Sequence, residues 1–489
     1  MPAPAPLRFT ETDMDEAASW EGRIAVVVEP EGKLDPAARG INSRAKKAIA
    51  RAVASPAWDK LDEGSALEIG WPGGIAARGI LVLKLSKKPD TATARAAGGT
   101  LAKMTGSDPL LLMAGAHRAA SDLAFGLVLK GYRFDAHRTG DKDEVAPVTV
   151  MATRPEDLAR SASEAAALAE GIFFTRDLVN EPSNVLTTED FAARLAAMQE
   201  LGLEVTILEE EDLEKLGMGA LLAVGQGSSS PTKVVVMEWK GGGDEPPFAL
   251  VGKGVVFDTG GISLKPAAGM EAMTMDMGGA GTVAGTMRAL ALRKAKANVV
   301  GLVGLVENMP SGTAYRPGDV IRSMKGDTIE VINTDAEGRL LLADVLWYAQ
   351  ETFSPSGVVD LATLTGAMLV ALGHERAGVF SNDEALAGAF LKAAETEGEG
   401  AWRMPLGKAY DKLLKSRVAD MKNTGGRWAG SITAAQFLQR FVKDETPWIH
   451  LDIAGVASLD SETPLSAAGA TGWGVLALNR LIADRYEGA

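Results

Sequence analysis

The stretch DTIEVINTDAEGRLLLADVLWYAQ, residues 327–350, changes character midway. DTIEVIN is rich in β-branched residues and reads as a strand, whereas RLLLADVLWYAQ spaces its apolar residues as a helix does. Asp335, Glu337, Gly338 and Arg339 stand at the junction. In a helix, positions i and i+2 point about 200° apart, so two carboxylates could not share a face; on an extended turn they can. The triplet Asp335, Glu337, Arg339 therefore belongs to a strand-to-helix crossover, with Gly338 as the hinge and Arg339 opening the helix. Strands that feed helices are the repeating unit of α/β folds.

The same alternation runs outward in both directions. LEVTILE, TKVVVMEW, FALVGKGVVFD, ANVVGLVGLVEN, GVVDLATLTG and PWIHLDIAG read as strands, and TVAGTMRALALRKA, RLLLADVLWYAQET and TAAQFLQRFV as helices. Their near-continuous apolar character predicts a mostly parallel central sheet flanked by helices. Further upstream, RIAVVVEP and GILVLKL alternate with Ala-rich charged stretches such as AKKAIARAVAS, which predicts a smaller N-terminal α/β domain. After the strand-like VAPVTVMAT, residues 156–170 carry no Pro or Gly and predict a long helix ending near Asn180-Glu181-Pro182. The expected division is an N-terminal domain over 1–150, a linker helix region over 151–170 and a catalytic domain over 171–489. A chain of 489 residues exceeds the size at which single cores usually split.

Composition narrows the function classes. Hydrophobic residues make up 46% and charged residues 23%, an ordinary globular balance. The formal net charge of -14 repels phosphate backbones and anionic lipid, so nucleic acid is an unlikely partner. No cysteine is present, which removes disulfides, thiolate metal sites and cysteine nucleophiles together. No run approaches the ~18 apolar residues of a spanning helix, and MPAPAPLRFTETDMDEAA lacks the regions of a signal peptide. The expectation is a cytoplasmic protein without a membrane partner. With only four histidines and no HExxH pairing, a metal site would rest mainly on carboxylates.

Three segments carry candidate chemistry. In GKGVVFDTGGISLKP a strand delivers Lys253 and Asp258 into a glycine turn with Lys265 beyond it, the kind of place where open α/β sheets bind ligands. Strict alternation puts Lys253 and Asp258 on opposite faces, so their convergence needs a bend or bulge, expected at Gly254. In AMTMDMGGAGTVAGTMRAL, Asp276 precedes a glycine-rich helix entry and could serve simply as a favourable charge at a helix start. The glycines fit neither dinucleotide nor P-loop spacing. A salt-bridged loop also suffices for Asp335, Glu337 and Arg339 alone. If all four carboxylates met in one crevice, about two divalent cations would be needed to neutralise them, and such a pair can share a bridging hydroxide and polarise a carbonyl.

Taken together, LVNEPSNVLT, VGKGVVFDTGGISLKP, MDMGGAGTVAG, NTDAEGRLLLAD, DLATLTGAM, ADMKNTGGRWAGSITAAQFL and HLDIAG resemble the leucyl (cytosol) aminopeptidases, a family of dinuclear-metal enzymes. GYRFDAH, residues 131–137, carries a looser likeness in the N-terminal part. The resemblance implies that Lys253, Asp258, Asp276 and Glu337 ligate one metal and Asp258, Asp335 and Glu337 the other, the metals being Mn2+ or Zn2+. Lys265 then matches the lysine that stabilises the developing oxyanion, and Arg339 the arginine that holds a bicarbonate acting as general base. Met273, Thr363, Leu364, Gly366 and Ala454 match positions around the first side-chain pocket. Ala457 stands where relatives often carry methionine, which implies a pocket open to side chains bulkier than leucine.

The implied activity is release of N-terminal, leucine-like residues from peptides with a free amine, by attack of a metal-bridging hydroxide. A homohexamer and a macro-like N-terminal fold are implied as well. His374 and Trp473 read as packing or interface residues. The competing readings are another two-metal hydrolase, such as a phosphoesterase, and a non-catalytic binding or DNA-associated accessory protein.

Overall fold

The computed structural model describes residues 4–140 and 146–488. The expected strand over 145–153 forms over Val148–Ala152, while Val145 lies outside the described residues. The chain divides into two compact units: Met1–Phe173 with Ser461–Ala468, and Phe174–Asp460 with Gly469–Ala489. The helix Pro155–Asn180 spans the point of division.

The first unit holds a six-stranded sheet built from β1 (Leu7–Glu11), β2 (Arg23–Val28), β3 (Ala66–Gly70), β4 (Gly79–Lys84), β5 (Leu110–Gly115) and β6 (Val148–Ala152). Their spatial order is β1-β6-β5-β2-β4-β3, parallel throughout except for β3 against β4. Both faces are apolar. Val26, Ile80 and Leu111 pack on one side, and Ala25, Leu81 and Leu112 on the other, which is why these strands read as continuous apolar runs.

In the second unit the strands are β7 (Glu204–Leu208), β8 (Lys233–Lys240), β9 (Phe248–Asp258), β10 (Asn298–Asn308), β11 (Val320–Arg322), β12 (Thr328–Glu330), β13 (Gly357–Ala362), β14 (Ala377–Ser381), β15 (Ala401–Arg403), β16 (Met421–Lys422), β17 (Trp448–Asp452), and the short pair β18 (Ser458–Leu459) and β19 (Gly469–Ala470). Eight of them form one sheet in the order β15-β14-β17-β13-β9-β10-β8-β7. The centre, β17-β13-β9-β10, is parallel, and antiparallel pairing begins at β8 and β14. The helix Gly278–Leu292 covers one face through Val283 and Met287 against Leu250 and Val303. Gly338–Phe353 covers the other through Leu341 and Val345 against Val251 and Leu302. Each such fully buried side chain contributes about 1.5–3 kcal/mol, so these two layers anchor the strand ends that carry the charged residues.

The strand-like DTIEVIN is extended over a shorter span than its composition suggests. Only Thr328–Glu330 is extended, and it pairs with β11 and β16 in a separate three-stranded sheet. Asn423, just beyond β16, ends that pairing by accepting the Ile332 N–H at 2.8 Å and donating to the Asn333 carbonyl at 2.7 Å. The chain then reaches the helix at Gly338 through a turn pinned by side chains.

Candidate metal centre

The candidate residues converge at the C-terminal ends of β9 and β13 and at the starts of the two covering helices. Lys253 and Asp258 do share a face, but the bulge is not at Gly254. Gly254 stays in register opposite Leu305, and β9 carries one extra residue, Val256, between the pairs Val306↔Val255 and Glu307↔Phe257. That residue shifts the alternation by one and turns Asp258 to the side of Lys253.

Lys253 is buried among acceptors. Its Nζ donates to Asp276 Oδ1 at 2.7 Å and to the Thr363 carbonyl at 3.1 Å, and lies 2.8 Å from Glu337 Oε1. Gly338 is required here, because a Cβ at that position would lie 2.6 Å from Lys253 Cε. Gly279 is likewise held to glycine, since a Cβ there would sit 2.0 Å from the Leu361 carbonyl oxygen. This contact lets the helix Gly278–Leu292 start close against the sheet.

Asp276 does not cap that helix. The cap position is Met277, which makes no side-chain cap bond, and Asp276 Oδ1 receives Lys253 and the Thr363 hydroxyl at 2.8 Å instead. Asp258 is fixed by N–H donors: its Oδ1 accepts from Gly260 at 2.9 Å and from Asn308 Nδ2 at 2.8 Å. Lys265 Nζ lies 2.6 Å from Asp258 Oδ2 and also bonds Asp335. Asp335 is the more open of the acids, with its side chain 35% exposed. Thr334 ties the two loops together, donating its hydroxyl to the Gly260 carbonyl at 2.6 Å and accepting the Ser263 N–H at 2.8 Å.

Carboxylate oxygens of Asp258, Asp335 and Glu337 all lie within 4.8 Å of one another. Asp276 joins them through Lys253. Burial raises the pKa of Asp276, Asp335 and Glu337, opposed chiefly by the neighbouring lysines. For Lys253 burial acts downward, yet the field of Asp276, Glu337 and Asp258 outweighs it and the net shift is upward; Lys265 behaves likewise beside Asp258 and Glu337. Burial brings Arg339 down to about 10, against the pull of Glu337, Asp452 and Asp335, so it stays cationic at neutral pH. Its Nη1 donates to the Asn423 carbonyl at 2.9 Å, and its buried Nε has no partner among the described residues.

The donor set fits divalent cations. Asp276 Oδ2 and Glu337 Oε2 are buried and accept no hydrogen bond among the described residues, a costly arrangement unless a cation satisfies them. Hard carboxylate oxygens at this spacing are ligands suited to divalent cations. The sequence reading missed the supporting amide and hydroxyl groups of Asn308, Thr334 and Asn423 and the bond from Thr363 to Asp276. The four acids, three cations and Thr363 all belong to the second unit.

Of the residues expected near the first side-chain pocket, Thr363 and Ala454 are buried, Met273 and Leu364 are half-buried, and Gly366 is exposed at the start of the helix Gly366–Leu372. Ala457 is buried beside Gly278 and Thr363: a Cβ on Gly278 would lie 3.1 Å from Ala457 Cβ and 3.2 Å from Thr363 Cγ2. His374 Nδ1 donates to the Gly455 carbonyl at 2.8 Å, and Trp473 is buried, its carbonyl accepting from Thr282.

Comparison with known proteins gives this geometry its context. Residues 173–479 match the model of the cytosol aminopeptidase family, catalytic domain. The chain is 64% identical to the "Probable cytosol aminopeptidase" of Dinoroseobacter shibae, covering 99% of each chain. It is also 64% identical to the protein of that name from Cereibacter sphaeroides, over the full length of both. Among solved structures, it resembles "Bottromycin maturation enzyme BotP in complex with Mn" with a TM-score of 0.84 at 34% identity, covering 95% of this chain and 99% of that one. The chain therefore belongs to the cytosol aminopeptidase family of metal-dependent exopeptidases.

Proposed function

We propose that Lys253, Asp258, Asp276, Asp335 and Glu337 hold two divalent cations, Mn2+ or Zn2+, and that Lys265 and Arg339 complete a site for removing leucine-like N-terminal residues. The observation that carries this reading is the convergence of three carboxylates, with Asp276 joined to them through Lys253 and two buried oxygens left without hydrogen bonds among the described residues. When bound, the cations polarise the scissile carbonyl and activate water.

The residues divide the remaining work. In the carboxylate field alone Lys253 stays protonated; its amine can serve as a ligand only where dications offset that field. Lys265, at the edge of the cluster with a side chain 20% exposed, offers its ammonium to the oxyanion that develops on the substrate. Arg339 combines a retained charge with an unpartnered Nε, which supports it as the seat of a small anion such as bicarbonate that takes up a proton. Met273, Thr363, Leu364, Gly366 and Ala454 would surround the first side chain, and the small side chain of Ala457 would admit residues bulkier than leucine. The family likeness supports a cytoplasmic homohexamer, with catalysis in the segment from about residue 171 onward.

A three-substrate panel with Mn2+ tests the reading: L-leucine amide, L-phenylalanine amide and N-acetyl-L-leucine amide. The first two are expected to be cleaved, and blocking the amine is expected to cost roughly 10³-fold or more, as for a site built around one polar group. Equal cleavage of the acetylated amide would remove the exopeptidase contact. The phenylalanine-to-leucine ratio should exceed that of a relative with methionine at the Ala457 position, and an equal or lower ratio would remove the wide pocket.

A further inference from the structure

We infer that Asp452 is a positioning residue for the substrate pocket, clamping the two loops that form its wall. This rests on the pocket assignment above and adds a residue to it.

β13 and β17 run parallel side by side, with Ala362 opposite Asp452 and Asp360 opposite His450. Just beyond these pairs both strands leave the sheet, β13 into Thr363, Leu364 and Thr365, and β17 into Ile453 and Ala454. A single fully buried carboxylate reaches both exits. Asp452 Oδ1 accepts the N–H of Leu364 at 3.2 Å and the N–H of Ala454 at 3.2 Å, while its Oδ2 accepts the Thr365 hydroxyl at 2.6 Å.

Thr365 shows where local preference has been overridden. It occupies the cap position of the helix Gly366–Leu372, where a threonine side chain ordinarily accepts from the first turn, yet it makes no such bond. Its hydroxyl is turned to Asp452 instead. The clamp is also one residue from the metal cluster, because the Thr363 carbonyl accepts from Lys253 and the Thr363 hydroxyl holds Asp276. Behind it both oxygens of Asp360 are occupied: His450 Nδ1 lies 2.5 Å from Asp360 Oδ1, and Trp448 Nε1 donates to Asp360 Oδ2 at 2.6 Å, while His450 Nε2 is buried without a hydrogen-bond partner among the described residues. The hydrogen bonds that Asp452 accepts all come from the loops.

A clamp of this kind sets the wall that meets the substrate in the ground state and the transition state alike, so its loss belongs in KM. The experiment compares wild type with Asp452→Asn, Thr365→Val and Thr365→Ser, each loaded with Mn2+, on leucine and phenylalanine amides, with bound metal measured alongside. Thr365→Val removes only the hydroxyl bond and is expected to raise KM for leucine amide by about three- to tenfold, the net scale of one ordinary intramolecular hydrogen bond, with kcat within about twofold. The phenylalanine-to-leucine ratio shifts and metal content does not. Thr365→Ser keeps the hydroxyl and restores KM; Asp452→Asn gives the larger loss in the same direction. If Asp452→Asn does not fold, the Val and Ser pair decides alone. Thr365→Val with wild-type KM and substrate ratio, or Thr365→Ser no better than Thr365→Val, overturns the inference. Wild-type protein inactive on both amides would instead reject the functional reading beneath it.

Discussion

Glu337→Gln is expected to lower kcat/KM on L-leucine amide by roughly 10³-fold or more, equivalent to at least about 4 kcal/mol of transition-state stabilisation. Glu337 occupies the centre of the cluster: its carboxylate is within 4.8 Å of those of Asp258 and Asp335, one oxygen meets Lys253 and the other meets nothing among the described residues. Glutamine keeps the shape and removes the charge, so bound metal should fall along with activity. The substitution also leaves Lys253 with one acidic partner fewer in a buried setting, where breaking a pair can cost about 3–5 kcal/mol. Urea unfolding of the variant therefore belongs beside the assay, and metal content should be measured on folded protein. A folded Glu337→Gln enzyme with wild-type metal content and turnover would remove Glu337 from the site.

Lys265→Ala should separate chemistry from metal binding. An ammonium aimed at a developing oxyanion contributes about 10²–10³-fold in kcat, or about 2.7–4 kcal/mol, and that loss is expected with KM little changed. Metal content should not fall, because Lys265 shares the oxygens of Asp258 and Asp335 that a cation would use. Removing it lifts that competition. Normal turnover in Lys265→Ala would assign the residue to charge balance alone, and loss of metal would assign it to site assembly.

The contrast between these variants reflects which parts of the site were legible in sequence. Apolar runs announce β9, β10, β13 and β17, and the strand-to-helix crossover is placed to within one residue, the helix opening at Gly338 rather than at Arg339. Lys253 and Asp258 show where such reading stops. The shift that unites them occurs at Val256, a residue with every preference for a regular strand, so no local signal distinguishes it. Glycine at 254 drew attention because it is permissive, yet it keeps its register. Asp276 offers a second case, since a carboxylate before a helix looks like a cap until the sheet supplies Lys253 and Thr363 as stronger partners.

Hydrogen-bond partners distant in sequence were the least legible. Asn308 holds Asp258, Asn423 holds the turn before Glu337 and receives Arg339, and Asp452 joins two strand exits. Each depends on strand order rather than on neighbouring residues. The grouping of residues 461–468 with the first unit is of the same kind. A motif names the charged groups, while the fold decides what orients them.

The central claim is that these carboxylates serve catalysis through divalent cations, and its most direct test is one measurement made three times. Hydrolysis of L-leucine amide is followed in the purified enzyme, after exhaustive chelation, and after Mn2+ or Zn2+ is restored, with metal per chain determined at each stage. Activity should vanish with the metal and return as about two ions per chain are regained, whereas activity that survives complete removal of metal would contradict the account.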